Sequence, residues 1–160
     1  MKNLFQILIA CKIIIGISVA QTPAPIIPDF IFYKFNQTAF TTKELAKGRM
    51  SFFVFFDTEC DHCQHAIEYL NQHCNELSKA AVYLVSLSGK EKMSVFLNKF
   101  GNRLLLQKNV LLLQDKKNEF ILKFTPRKYP SLCLYSSESK LLLYDDDEKK
   151  LPIFIQKIKG

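Results

Sequence analysis

Apolar positions fall along the chain in two patterns: short unbroken blocks, and stripes at helical spacing. Residues 52–56 (FFVFF) form a block with no polar interruption, as expected of a strand covered on both faces. Residues 82–87 (VYLVSL) form a second. Between them, Cys63, Ile67, Leu70, Cys74 and Leu77 recur at spacings of four, three, four and three. One apolar stripe of that period predicts a helix over residues 61–79. Met93, Phe96, Leu97 and Phe100 predict another over residues 90–100. Residues 110–113 suit a short strand, and residues 118–124 read as a helix stopped by Pro126.

Nearer the ends, residues 31–35 read as an edge strand. Thr42 reads as the cap of a short helix through Lys47, stopped by Gly48. Blocks 131–135 and 140–144 flank the polar turn 136–139 and predict a hairpin. The acidic run 145–148 suits the start of a last helix, where carboxylates meet the positive end of the macrodipole. Pro152 fits the first turn of that helix. Strands alternate with helices before the closing hairpin and helix. That order predicts an α/β fold, a sheet with helices on both faces.

The first twenty residues break the pattern. Lys2 precedes an apolar stretch over residues 4–20, broken by Gln6 and Lys12 and free of acids. Ser18-Val19-Ala20 supplies small residues for cleavage before Gln21. We read residues 1–20 as a signal peptide, 21–28 (QTPAPIIP) as a Pro-rich linker and 29–160 as one domain. Two other readings use the same stretch: an uncleaved anchor through residues 4–20, and a lipoprotein processing site at Leu8-Ile9-Ala10-Cys11. The first reading expects export across the inner membrane into the periplasm.

Composition narrows the partners. The length of 160 residues allows one domain, and 14 Phe supply one sizeable core. The formal charge of +7 falls to +5 once Lys2 and Lys12 are removed, and bases are interleaved with acids. A nucleic-acid partner needs a clustered basic patch, so none is expected. Cleavage leaves Cys60, Cys63, Cys74 and Cys133. Four cysteines are too few to build a disulfide scaffold, although an exported protein lives where disulfides form.

The chemistry-bearing motif is Cys60-Asp61-His62-Cys63, where the buried strand ends and the helix begins. A helix N-terminus carries free N–H groups and about half a positive charge. A thiolate there is stabilised. Two intervening residues bring the second sulfur within bonding reach, so Cys60 attacks and Cys63 resolves the mixed disulfide. His62 can place positive charge beside Cys60 and tune its thiolate, while Glu59 and Asp61 oppose it. A structural zinc needs four ligands, and no second cysteine pair exists. His65, His73 and Cys74 are the nearby candidates, but on a straight helix Cys74 lies roughly 16 Å beyond Cys63. No metal site is therefore expected, and Cys74 and Cys133 read as small buried apolar residues.

The strand FFVFF, the turn DTE, the motif CDHC and the helix QHAIEYL together resemble the active-site segment of the thioredoxin superfamily. Lys128-Tyr129-Pro130-Ser131 followed by LCLY resembles the cis-proline loop of that fold, placed just before the closing hairpin. The separation from Cys60 to Pro130 is longer than in thioredoxin itself. It is similar to the redoxin and TlpA-like exported thiol–disulfide oxidoreductases, which insert a helix between the two motifs. The resemblance covers roughly residues 28–158. It implies a thioredoxin-like α/β fold with a central mixed sheet, and a cis Pro130 facing the cysteine pair. The Tyr129 backbone would then be free to pair with an extended substrate. The pattern also departs from the family. Val54 stands where thioredoxins bury an acid, Glu59 where they carry a Trp, and Ala66 where some exported members place an acid. The Cys63 proton would then fall to Glu68 or to water.

These readings lead to an extracytoplasmic thiol–disulfide oxidoreductase that reduces or exchanges protein disulfides. It would be a monomer needing no cofactor beyond the dithiol. Its partners would be thiol or disulfide proteins and a redox partner that resets the pair, with a membrane protein as one candidate. A thiol peroxidase of the peroxiredoxin kind is the alternative. That activity wants a Thr three residues before the reactive cysteine, a Pro and an Arg, whereas Thr58 lies two before Cys60. A copper-binding or redox-inactive relative is the third reading. Copper carriers of this fold use wider cysteine spacing and a distant His, and no His follows His73.

Overall fold

The computed structural model describes residues 22–160, so the signal-peptide reading of residues 1–20 lies outside the described residues. Seven strands form one sheet in the order β2-β1-β5-β4-β3-β6-β7. The strands are β1 (Ile31–Tyr33), β2 (Ala39–Thr41), β3 (Met50–Phe55), β4 (Ala80–Ser86), β5 (Val110–Gln114), β6 (Ser131–Tyr135) and β7 (Leu141–Asp145). The central strands β3, β4 and β5 run parallel, and every other pairing is antiparallel. The α-helices are α1 (Asp61–Gln72), α2 (Lys90–Phe100) and α3 (Leu151–Lys159).

Period-two alternation divides the core. Phe52, Val54 and Phe56 point to one face, where they pack with Cys63, Ile67 and Leu70 of α1, Met93 and Leu97 of α2, and Phe154 and Ile158 of α3. Phe53 and Phe55 point to the other, among Phe30, Phe32, Phe40, Phe120 and Phe124. That second face is closed by the N-terminal segment and a single π-helical turn, Phe120–Phe124. The helix expected over residues 118–124 is thus this wider turn. It is capped by buried Asp115, whose carboxylate accepts the N–H groups of Glu119 and Phe120 at 3.0 and 2.8 Å.

Other boundaries shift for local reasons. The helix expected to reach residue 79 ends at Gln72, and a 3-10 turn, Cys74–Leu77, continues it. That turn keeps Cys74 and Leu77 buried, so the apolar stripe survives the change of helix type. Thr42 is not a helix cap. Thr41 is, in a capping box with Glu44 that closes only the 3-10 turn Thr42–Glu44. The acidic run precedes α3 through another 3-10 turn, Glu148–Lys150, whose cap Asp147 accepts the Lys149 N–H at 3.0 Å. The segment read as a linker is stitched to the domain from Thr22 onward. Ala24 N–H donates to Phe124, Ile27 N–H donates to Ser139, and Ile27 is buried. Among the described residues, no helix is long and apolar enough to cross a membrane.

Candidate functional site

The site lies where β3 hands over to α1. Phe56 is still tied to β4, its N–H donating to the Val85 carbonyl at 3.0 Å. The chain then turns: the Asp57 carbonyl accepts the Cys60 N–H at 3.4 Å, and its carboxylate accepts the Glu59 N–H at 2.8 Å. The Thr58 and Ser88 hydroxyls, 2.9 Å apart, join this turn to the segment after β4.

Cys60 is the N-cap of α1, in extended conformation. Its sulfur occupies the place of a capping oxygen and accepts the Cys63 N–H at 3.3 Å. That N–H is one of the donors a helix start leaves without an internal partner, and it favours negative charge on the sulfur. Cys60 is half-buried. Cys63 lies behind it, wholly buried, and its sulfur accepts the Asp57 N–H at 3.4 Å. Burial pushes the Cys63 thiol well above the ordinary cysteine range, and the contact with Cys60 and the Asp57 charge push it further. The four cysteines among the described residues carry free thiols.

The Tyr129–Pro130 peptide bond is cis, as the resemblance implied. Pro130 is buried, and half-buried Tyr129 packs against the cluster that contains Cys63. Burial raises the Tyr129 hydroxyl to about 12, with the charges of Asp57, Asp115 and Cys63 adding to the effect. Cys60, Cys63 and Tyr129 therefore share one locale, and Asp57 belongs to it. Asp57 was not singled out from the sequence, although an acid closing a buried strand three residues before Cys60 was a usable signal. Glu68, the expected proton handler, makes no hydrogen bond to either sulfur among the described residues.

His62 is exposed, and its ring turns to Glu148, with Nδ1 3.0 Å from Oε1. Any influence on Cys60 thus acts through space. Burial pushes the Glu148 carboxyl up, but the His62 contact and a backbone N–H outweigh that and hold it below the usual carboxylate range. His65, one turn further along α1, faces the same carboxylate. One ligand atom from each of His62, His65 and Glu148 lies within 4.8 Å of the others. Glu59 pairs instead with Lys92 of α2, at 2.6 Å on the surface. Cys74 and Cys133 are buried away from the motif, and burial raises the Cys133 thiol to about 12.

A model of the AhpC/TSA family matches residues 23–142. No curated protein sequence matches the chain. Solved structures similar to it include the thioredoxin domain of a thiol-disulfide oxidoreductase from Bacteroides vulgatus, with TM-score 0.67 and 14% identity, covering 88% of this chain and 100% of that one. A secreted Mycobacterium tuberculosis disulfide oxidoreductase homologous to E. coli DsbE superposes with TM-score 0.64 at 15% identity, over 80% of this chain and 95% of that one. Arabidopsis thaliana ScoI with copper bound gives TM-score 0.61 at 13% identity, over 84% and 98%. At these identities the likeness is one of fold, and the fold is thioredoxin-like.

Proposed function

The chain belongs to the AhpC/TSA family, and from that premise we propose that it is a thiol–disulfide oxidoreductase acting on protein disulfides outside the cytoplasm. The observation that carries this reading is the asymmetry of the pair. One sulfur sits half-buried at a helix start with a backbone donor, and the other is buried behind it as a neutral thiol.

The reaction has two displacements. The Cys60 thiolate attacks one sulfur of a substrate disulfide, forming the Cys60–substrate bond and releasing the other substrate sulfur as thiolate. Cys63 then loses its proton and attacks the Cys60 sulfur. The Cys60–Cys63 disulfide forms and the second substrate thiolate leaves. The substrate gains two electrons, the dithiol loses them, and a dithiol partner must restore it. Asp57 is the assigned acceptor for the Cys63 proton, because its charge bears on that thiol and its backbone holds that sulfur. The Tyr129 backbone and Pro130 are assigned to position the substrate chain, and His62 to tune the Cys60 thiolate through space. Beside the motif, a groove of about 490 Å³ with Val95, Phe96 and Phe100 in its wall lies against Thr58 and Glu59. Export is supported by the charged and apolar pattern of residues 1–20. The mass of the exported form tests it: a chain starting at Gln21 agrees, whereas retention of residues 1–20 or a lipid on Cys11 contradicts cleavage.

The family's range also takes in the peroxidase reading. It lacks support at the sulfur, since Arg127 pairs with Asp146, Arg49 with the carbonyls of Ser78 and Ala80, and Arg103 stands at the turn Leu104–Leu106 with its backbone N–H on Asn71, near the far end of α1. Thr58 is engaged with Ser88. The assay is reduction of a mixed disulfide substrate set against consumption of peroxide. Disulfide exchange with negligible peroxide turnover supports the proposal, and the reverse refutes it.

A further inference from the structure

We propose that His62, His65 and Glu148 form a zinc-binding site on the rim of the dithiol, distinct from the cysteines. The two histidines stand three residues apart on α1, a spacing that places side chains on one helix face. Glu148 arrives from the turn that leads into α3, 86 residues along the chain from His62. The turn packs on α1 and fixes its position, and the Glu148 side chain is only 12% exposed. The carboxylate is therefore a preset anchor, and the two exposed imidazoles are the adjustable ligands.

Dimensions and donor chemistry agree. One donor atom from each residue already lies within 4.8 Å of the others, and the His62–Glu148 pair is at 3.0 Å. With metal–ligand bonds of about 2.0–2.2 Å, the edges of a tetrahedral site measure about 3.3–3.5 Å. The longest separation must then close by at most about 1.4 Å, within reach of side-chain rotation by the imidazoles. Two imidazoles and one carboxylate make a borderline donor set. They match the three-ligand zinc site that leaves a fourth position to water. The imidazoles disfavour calcium and magnesium, which take oxygen ligands. The absence of sulfur disfavours copper(I). Zinc bound there bridges the first turns of α1, which carry the dithiol, to the segment that starts α3. Because such a site exists only in the folded chain, binding also raises stability.

The dithiol is itself a zinc ligand, so the test removes it. The full chain carrying Cys11→Ser, Cys60→Ser and Cys63→Ser is titrated with Zn²⁺ by calorimetry and with Co²⁺ by absorption. The proposal expects one metal per chain and a cobalt spectrum without thiolate charge transfer. It expects a rise in Tm with added Zn²⁺. His65→Ala and Glu148→Gln, each made in that background, should weaken binding at least tenfold. His65 is exposed and makes no hydrogen bond among the described residues, so its variant tests ligation without disturbing the fold. Circular dichroism and metal-free Tm check both. No binding in the cysteine-free chain overturns the site, as does binding that His65→Ala and Glu148→Gln leave unchanged. Binding seen only while Cys60 and Cys63 are present, with a thiolate band, assigns the metal to the dithiol and also overturns it.

Discussion

The backbone N–H of Cys63 donates to the sulfur of Cys60 at 3.3 Å, so the residue assigned to resolve the disulfide also holds the sulfur assigned to attack. The Cys63 sulfur is wholly buried and faces the Asp57 N–H. Alkylation should register the difference. A reduced full chain carrying Cys11→Ser should take one iodoacetamide label at neutral pH, on Cys60, because Cys63, Cys74 and Cys133 are buried. Mass spectrometry of the labelled peptides checks it. Labelling of Cys63 at a rate comparable to Cys60 contradicts the assignment.

The same burial has a pH consequence. Folding raises the Cys63 pKa, so above the ordinary cysteine value of about 8.5 the folded chain holds a proton that the unfolded chain has lost. Stability is then full below that value and falls as pH rises through it, by up to about 1.4 kcal/mol per pH unit. Denaturant titrations of the reduced protein and of Cys63→Ala, at pH 7 and above pH 9, should show a smaller loss in the variant. Equal losses would remove Cys63 as the source.

Asp57→Asn separates the two displacements. The amide keeps an oxygen that can accept the Glu59 N–H but removes the charge and the basic group near Cys63. Formation of the mixed disulfide should be little changed. Its resolution by Cys63 should slow about 10²-fold, the scale of a lost general base. Quenched single-turnover reactions, separated by mass, resolve the steps. If resolution proceeds at the wild-type rate, Asp57 is not the proton acceptor.

Much of the scaffold was legible in the sequence because local pattern decides it. Residues 90–100 and 131–135 are α2 and β6 as expected, since each has an uninterrupted period and a clear stop. β2 was missed because Ala39-Phe40-Thr41 has no strand pattern of its own and is a strand only by pairing with β1. The break at His73 was invisible because α and 3-10 turns bury the same stripe. The motif announced Cys60 and Cys63 through spacing. The contact of His62 with Glu148 could not be read, because it depends on how the turn before α3 docks on α1.

Glu119 joins β1 to the π-helical turn, accepting the Ile31 N–H at 2.8 Å and pairing with Lys123 at 2.9 Å. Burial pushes its carboxyl up, but these two partners outweigh it and leave it below the ordinary range. The ionised form is therefore favoured by folding. Its contribution is present above the ordinary carboxylate pKa of about 4.3 and is lost as pH falls through the lower folded value. Glu119→Gln should cost about 1 kcal/mol at pH 7 and flatten that acid limb. Chemical denaturation at pH 7 and pH 3.5 measures both. An unchanged acid limb would show that Glu119 does not supply it.

Phe124 is fully buried against Phe30, Phe32, Phe53, Phe55, Phe120 and Tyr135. Phe124→Ala should destabilise the chain by about 3–5 kcal/mol, through lost burial and the cavity left behind. Equilibrium unfolding in urea reports it. A loss below about 1 kcal/mol would mean that this face repacks freely.

The central claim is that Cys60 attacks and Cys63 resolves. It is tested most directly by incubating the reduced Cys60→Ser and Cys63→Ser chains, each also carrying Cys11→Ser, with a disulfide-bonded polypeptide and weighing the products under non-reducing conditions. Cys63→Ser should accumulate a covalent adduct of one chain and one substrate, joined through Cys60 and released by reductant. Cys60→Ser should form none. An adduct on Cys60→Ser with none on Cys63→Ser reverses the roles, and no adduct on either contradicts the account.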